Sequence, residues 1–186
     1  MKKLKSVRGI PLSYIQSVLK IDSNSPTGLT WLHRKDVPNE WNTRFANKYA
    51  GSENGTRDRY RRWDLQITYN RKIYRLKCSR IIFLLHKGYL TKGKCIDHID
   101  NNPLNNNPKN LRESTDSENA HNSKLPKNNT SGHKGVSWFA PYSKWIVRIK
   151  KNSKEHFFGY YEKLEDAIKV AIAARKKLHG DFGRNQ

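Results

Sequence analysis

Asp97-His98, Asn110 and Asn119 are the residues of this chain whose types and spacing point to chemistry. Phosphodiester hydrolysis needs an activated water, charge neutralisation at the phosphate and protonation of the leaving oxygen. His98 can supply the first, because an unperturbed imidazole titrates near ~6.5 and accepts a proton at neutral pH. Asp97 and the side-chain carbonyl of Asn119 are hard oxygen donors of the kind that Mg²⁺ or Mn²⁺ prefers, and water and phosphate oxygen can fill the other positions of one such ion. Asn110 carries donors and an acceptor, so it can tie a loop across a hairpin and hold the His98 backbone in place.

Stepping outward, Lys94-Cys95-Ile96-Asp97-His98-Ile99 reads as a short strand. Residues 100–110 are packed with Asn and Pro, which favour turns and bond their own backbone, so a loop follows. Leu111-Arg112-Glu113 can pair back on the first strand, and Thr115 or Ser117 can cap a helix carrying Glu118, Asn119 and His121. Adjacent strand residues point to opposite faces, so Asp97 and His98 converge only if the strand bends or ends there. His121 has two readings, an additional ligand or an exposed helix histidine, and Asp100 has two, metal assistance or a turn.

Those residues, with Asn110-Leu111-Arg112 and Ser117-Glu118-Asn119-Ala120-His121-Asn122 around them, resemble the HNH endonucleases, the ββα-metal nucleases, most closely the phage and intron-encoded homing branch. The resemblance implies that Asp97 and Asn119 bind one divalent metal, that His98 is the general base and that Asn110 is structural. It also implies products with 3′-hydroxyl and 5′-phosphate ends.

Composition supplies a partner. The chain has 186 residues, 37 Lys+Arg against 16 Asp+Glu and a formal net charge of +21. A positive charge spread along most of the chain suits an extended polyanion, and double-stranded DNA is the partner expected. A membrane partner would need an amphipathic basic helix or a long apolar run, and the sequence has neither. Ser13, Gln16, Ser17 and Lys20 interrupt what would be the apolar part of a signal peptide after Met1-Lys2-Lys3-Leu4-Lys5, so the expected location is cytoplasmic, in the host cell of a phage or prokaryotic mobile element. Cys78 and Cys95 are too few and too far apart for a four-ligand zinc site and read as buried thiols. No protein partner is evident, and a monomer and a dimer both fit.

The flanks read as separate regions. Leu12, Ile15, Val18 and Leu19 share a helical face after Pro11, which predicts a helix over about residues 11–20, and Leu29-Thr30-Trp31-Leu32-His33 predicts a strand. Residues 34–59 have no regular period and read as a long loop. Two strands joined by Asn70-Arg71 follow, then a helix capped by Ser79 that stops at Lys87-Gly88. Gly28-Leu29-Thr30-Trp31 and Ser79-Arg80-Ile81-Ile82 resemble the N-terminal part of many phage HNH proteins. Charge makes Arg57, Arg59, Arg61, Arg62, Arg71, Lys72, Arg75 and Arg80 candidates for contacts that position DNA without reading it.

Beyond the polar stretch Pro126-Lys127-Asn128-Asn129-Thr130-Ser131, alternation predicts three antiparallel strands, with Trp145, Val147 and Ile149 on one face and Arg148 and Lys150 on the other. Leu164, Ala167, Ile168, Ala171, Ala174 and Leu178 then follow helical spacing. This segment, about residues 131–182, resembles the ethylene-response-factor (APETALA-type) DNA-binding domain, whose sheet docks in the major groove. That resemblance implies DNA contacts from Lys134, Ser137, Phe139, Tyr142, Arg148, Lys150 and Phe157. Ser137 and Phe139 replace arginines common in plant members and Glu155 is acidic, so the plant target sequence does not transfer.

The reading is thus an α+β chain: an N-terminal α+β region (1–90), a central ββα-metal (HNH) nuclease module (91–124), a linker (125–131) and a three-stranded antiparallel sheet packed on one helix (132–186). The function expected is a homing-type, metal-dependent DNA endonuclease. The alternative is a DNA-binding regulator that uses the C-terminal sheet and does not cut.

Overall fold

The computed structural model describes residues 1–55, 61–122, 125, 128–151 and 153–182. Helices and strands are mixed throughout, as the α+β reading expects, and backbone contacts divide the chain into units of residues 1–113 and 114–186. The division falls inside residues 91–124. Arg57 and Arg59 lie outside the described residues.

The first unit begins with short strands β1 (Lys3–Leu4), β2 (Ser6–Val7) and β3 (Ile10–Pro11), then helix α1 (Leu12–Val18), β4 (Leu19–Ile21) and β5 (Leu29–Trp31). Helix α2 (Asn39–Phe45) and strand β6 (Ser52–Asn54) come next, followed by β7 (Arg62–Tyr69), β8 (Lys72–Lys77) and helix α3 (Cys78–Lys87). Strands β9 (Leu90–Thr91), β10 (Cys95–His98) and β11 (Leu111–Ser114) lead to the end of the unit. Strands β6, β7 and β8 form an antiparallel sheet, β1 pairs with β9, and β10 pairs with β11. The β7–β8 hairpin turns on Asn70 and Arg71, both at positive φ (47° and 60°), as a two-residue turn matching strand twist requires.

Helix α3 is the centre of this unit. Its Ile81, Ile82 and Leu84 are fully buried, and they join Ile15, Leu19, Leu29, Leu65 and Ile67 in one core. The helix starts at Cys78 without a side-chain cap, so Ser79 is not the cap the sequence suggests. Ser79 is instead buried in the first turn. Burial, with Asp64 nearby, pushes the Cys78 thiol up to about 12, which makes it an inert core group. Cys95 is only half-buried.

Residues 34–59 hold helix α2 and strand β6 where the sequence predicts a loop. The cause is a contact set that no local period reports. Arg34 is 5% exposed, with its guanidinium 5.6 and 5.0 Å from the rings of Trp31 and Trp41. It donates to both carboxylate oxygens of Asp36 (3.0 and 2.7 Å) and to the Tyr14 hydroxyl (2.9 Å). Asn42, buried in α2, bonds both the N–H and the C=O of Arg34 at 2.8 Å. An aromatic-lined arginine therefore fixes the helix by tertiary pairing, not by propensity.

The second unit contains helix α4 (Asp116–His121), strands β12 (Val136–Phe139), β13 (Lys144–Lys151) and β14 (Lys154–Tyr161), and helix α5 (Leu164–His179). Its three strands form an antiparallel sheet in the order β12-β13-β14 that packs on α5, as the sequence predicts. Val136, Val147, Trp145 and Phe158 meet Ala167, Val170 and Ala171 of the helix. Gly135 enters the sheet at φ +80°, and a Cβ there would lie 2.9 Å from the Arg148 carbonyl oxygen. Only glycine fits that approach. Asn129 and Ser131 bond the His133 and Val136 carbonyls at the start of β12.

Candidate active site

The loop between β10 and β11 is built by its own side chains. The carboxylate of Asp100 accepts from the Asn102 N–H (2.8 Å), and Asn102 accepts from the Leu104 N–H (3.1 Å). Asn105 then accepts from the Asn107 N–H (3.2 Å), and Asn107 from the Lys109 N–H (2.9 Å). Each of these side chains mimics a backbone turn two residues on, which is why the segment needs so many Asn and Asp residues.

Asn110 closes the loop. Its side-chain amide donates to Asp100 Oδ1 (2.9 Å) and to the Asn105 carbonyl (2.8 Å), and its Oδ1 accepts from the Asp100 N–H (3.1 Å). Its backbone carbonyl accepts from the Ile99 N–H (2.9 Å), one residue past His98. Asp100 is used up in this turn. Burial alone would raise its carboxyl, but donation from the Asn102 N–H and the Asn105 and Asn110 amides, with the charge of His98, brings it below its ordinary value.

Strand β10 ends at His98, and its last two side chains take different partners. Asp97, 5% exposed, accepts from Arg112 Nε of β11 at 2.9 Å in a largely buried ion pair. The pair orients the carboxylate and lowers the cost of holding it away from water. His98 Nε2 lies 3.1 Å from Asn106 Oδ1. Asn106 is itself buried, and its amide nitrogen donates to the Thr27 carbonyl at 2.9 Å. A carbonyl can only accept, so the Asn106 amide must turn its nitrogen to Thr27 and its oxygen to His98. In its neutral form the imidazole then carries its proton on Nε2, with Nδ1 as the nitrogen able to accept.

Gly28 permits this arrangement. At φ +80°, a Cβ on it would sit 2.7 Å from Ile82 Cδ1 and 3.3 Å from Asn106 Cβ. A side chain there would push Asn106 off its seat. Asn106 and Thr27 escaped the sequence reading because they are 79 positions apart; the nearest signal was Asn106 itself, one Asn among many.

Asn119 stands exposed on α4 in the second unit, on the helix that also carries His121. Thr115 and Glu118 form a full capping box at its start, each side chain bonding the other's backbone N–H, so of the two candidate caps Thr115 is the one used. Among the described residues no cluster of three His, Cys, Asp or Glu side chains gathers as a metal cage. A hard ion here would rest on the Asp97 carboxylate together with amide oxygen, water and substrate.

On the C-terminal sheet, strand register puts Ser137, Phe139, Arg148, Lys150 and Phe157 on the face away from α5. Lys134 precedes β12. An extra residue, Phe158, sits between the partners of Val147 and Arg148, so Phe158 enters the core while Phe157 stays exposed. Tyr160 also faces outward and was missed by the sequence reading. Its ring lies 5.0 to 5.5 Å from those of Phe139, Tyr142 and Phe157, at the middle of a four-ring patch. Arg148 forms an exposed 3.6 Å pair with Glu155.

A paired-strand hairpin with an Asp-His end, an asparagine-tied loop and a following capped helix is the arrangement of the HNH nucleases. Residues 77–121 match the HNH endonuclease family, and form a domain of that kind. The chain is 42% identical over 97 residues to Protein 3.8 of Escherichia phage T7, across 52% of this chain and 79% of that protein, and it belongs to the same family. No solved structure matches the chain. The domain match ends at residue 121, so the ethylene-response-factor resemblance gains no support from it. Among the described residues no helix is long and apolar enough to cross a membrane.

Proposed function

We propose that this protein is a DNA endonuclease of the homing type, hydrolysing phosphodiester bonds with His98 as general base and one divalent ion, Mg²⁺ or Mn²⁺, held by Asp97 and Asn119. The observation that carries the reading is the Thr27–Asn106–His98 chain, whose Asn106 and His98 lie inside the matched HNH segment, because it directs a neutral His98 ring to accept at Nδ1. In the reaction, Nδ1 takes a proton from water, the water oxygen attacks phosphorus, and the bond to the 3′-oxygen breaks as that oxygen takes a proton from a second water molecule. The strand ends left are a 3′-hydroxyl and a 5′-phosphate. When bound, the ion supplies charge neutralisation at the phosphate. Asp97 and Asn119 suit it in donor type, both offering hard oxygen. Asn110 has no part in proton transfer; it holds the loop.

Duplex DNA is the substrate that the charge of +21 favours, with the outward face of β12–β14 supplying affinity through Lys134, Ser137, Phe139, Tyr142, Arg148, Lys150 and Phe157. In this division of labour residues 1–90 position DNA, 91–124 cut, 125–131 link and 132–186 hold. His98→Ala abolishes cutting of phage DNA in Mg²⁺ or Mn²⁺, a loss of about 10²–10⁴-fold or more, and leaves DNA affinity nearly intact. Equal cleavage by the variant would remove the mechanism. Mapping the ends on both strands of a genome digest tests the homing assignment and separates nicking from a double cut.

The Asp97–Arg112 pair favours one second reading, a non-cutting DNA-binding regulator in which that carboxylate is structural. Metal-dependent cutting by the natural sequence that His98→Ala removes would decide against it.

A further inference from the structure

A cavity of about 420 Å³ opens in the first unit beside the catalytic strand, walled by Cys95 and Ile96 of β10 on one side and by residues of β7, β8 and α3 on the others. Five cations line it: Arg8, Arg62, Arg75, Lys77 and Arg80. The one carboxylate in its wall, Asp64, is already engaged, accepting from Arg62 Nε at 3.0 Å and from Asn54 at 2.6 Å. Among the described residues, Arg8, Arg75, Lys77 and Arg80 have no carboxylate within ion-pair distance. Four like charges around one hollow, with no described carboxylate paired to them, sum to a positive potential that favours entry of an anion.

Arg8 adds a second observation. With Gly9 it forms the two-residue turn between β2 and β3, and both sit at positive φ, 50° and 83°. Asn, Asp or Gly usually fills the first of these positions, and an arginine there costs about 1–2 kcal/mol. Its guanidinium donates to the Arg75 carbonyl at 3.2 Å, which holds it over the cavity mouth next to β8. Arg71 holds a similar conformation in the β7–β8 turn, so what distinguishes Arg8 is its place in the wall of the cationic hollow.

We infer that this cavity seats one internal backbone phosphate of the DNA strand, a few nucleotides from the bond that is cut, held by Arg8, Arg75, Lys77 and Arg80. The inference rests on the reading of the chain as a DNA endonuclease for its substrate. The offset follows from the strand: His98 lies three positions after Cys95, about 10 Å of extended chain, which spans roughly three nucleotide steps at about 3.4 Å of axial rise each. Planar guanidinium groups match phosphate oxygens two at a time, whereas a base would call for stacking surfaces that this wall lacks.

The test is the salt dependence of binding by the full chain to a duplex with 5′-hydroxyl ends, so that only internal phosphates can fill the seat. One seated phosphate accounts for a slope of about 0.9 in log affinity against log salt. Between 50 and 200 mM salt, affinity of the Arg75→Ala/Lys77→Ala variant therefore falls about threefold less than that of the natural chain. Because both residues hold the same phosphate, each single substitution gives nearly the full change and the pair is non-additive. The substituted Arg75 and Lys77 are exposed, and unaltered thermal melting verifies that the variants fold. An unchanged slope, strictly additive losses, or a difference seen only with 5′-phosphorylated ends would overturn the seat. If the natural chain binds in this way but never cuts, the seat stands and the endonuclease reading falls; if it cuts and the slope is unmoved, the reverse holds.

Discussion

The imidazole of His98 meets an amide whose orientation is set by a main-chain carbonyl, Thr27, so the proposed base is oriented by two groups outside the proton transfer. Asn106→Leu removes the acceptor for Nε2–H and lets the ring reprotonate on the wrong nitrogen. Cleavage should drop about ten- to a hundredfold in kcat, less than the roughly 10²–10⁴-fold that loss of a general base itself costs, with KM and DNA affinity little changed. Adding His98→Ala to this variant should cost no more than His98→Ala alone, because residues acting as a unit are not additive. Steady-state cleavage of one duplex by the four proteins checks both statements. The candidate residues Asp97, His98, Asn110 and Asn119 stand out in the sequence because of their types and the strand-loop-strand-helix pattern around them. Asn106 does not, because only folding brings it to Thr27 and His98.

Elements are held here in two ways, and the difference explains which of them sequence can reveal. Helix α4 carries its own start signal, Thr115 with Glu118, and the β7–β8 and β10–β11 hairpins carry theirs in turn residues. Helix α2 has no such signal; Arg34, Asp36, Tyr14 and Asn42 hold it through contacts from a distance. Hydrogen bonds from Arg34 outweigh burial and bring the Asp36 carboxyl from its ordinary 3.8 to about 2, while burial and Asp36 push the Tyr14 hydroxyl up to about 12. A depressed carboxyl stabilises the fold above its unfolded value and stops doing so as pH falls. The contribution is therefore complete above about pH 4 and lost towards pH 2. Asp36 is 45% exposed, so solvent screening reduces it to about 1 kcal/mol. Asp36→Asn should lower stability at pH 7 by that amount and flatten the acid limb between pH 4 and 2, measurable by urea unfolding across pH.

At the scale of the whole molecule, a charge of +21 is spread over two units, with the hollow lined by Arg8, Arg75, Lys77 and Arg80 in one and the outward Arg148 and Lys150 in the other. Alternation in the sequence was enough to give the C-terminal sheet and the outward place of Arg148 and Lys150. The position of Tyr160 depended on the extra residue Phe158 in β14, which shifts the register in a way that spacing alone hides. The two kinds of side chain on that face should separate in a titration. Arg148→Ala should reduce the salt slope of DNA binding by about one ion, whereas Tyr160→Ser should weaken binding about tenfold, the scale of one base contact, without altering the slope; fluorescence anisotropy at several salt concentrations distinguishes them. The bond between Asn106 and Thr27 has a consequence in time as well. It joins positions 79 residues apart, and at a synthesis rate of about 5–20 residues per second the ribosome needs roughly 4–16 s to supply the second after the first. Throughout that interval a nascent chain lacks the amide that meets His98, so the Thr27–Asn106–His98 chain is assembled only after residue 106 has been made.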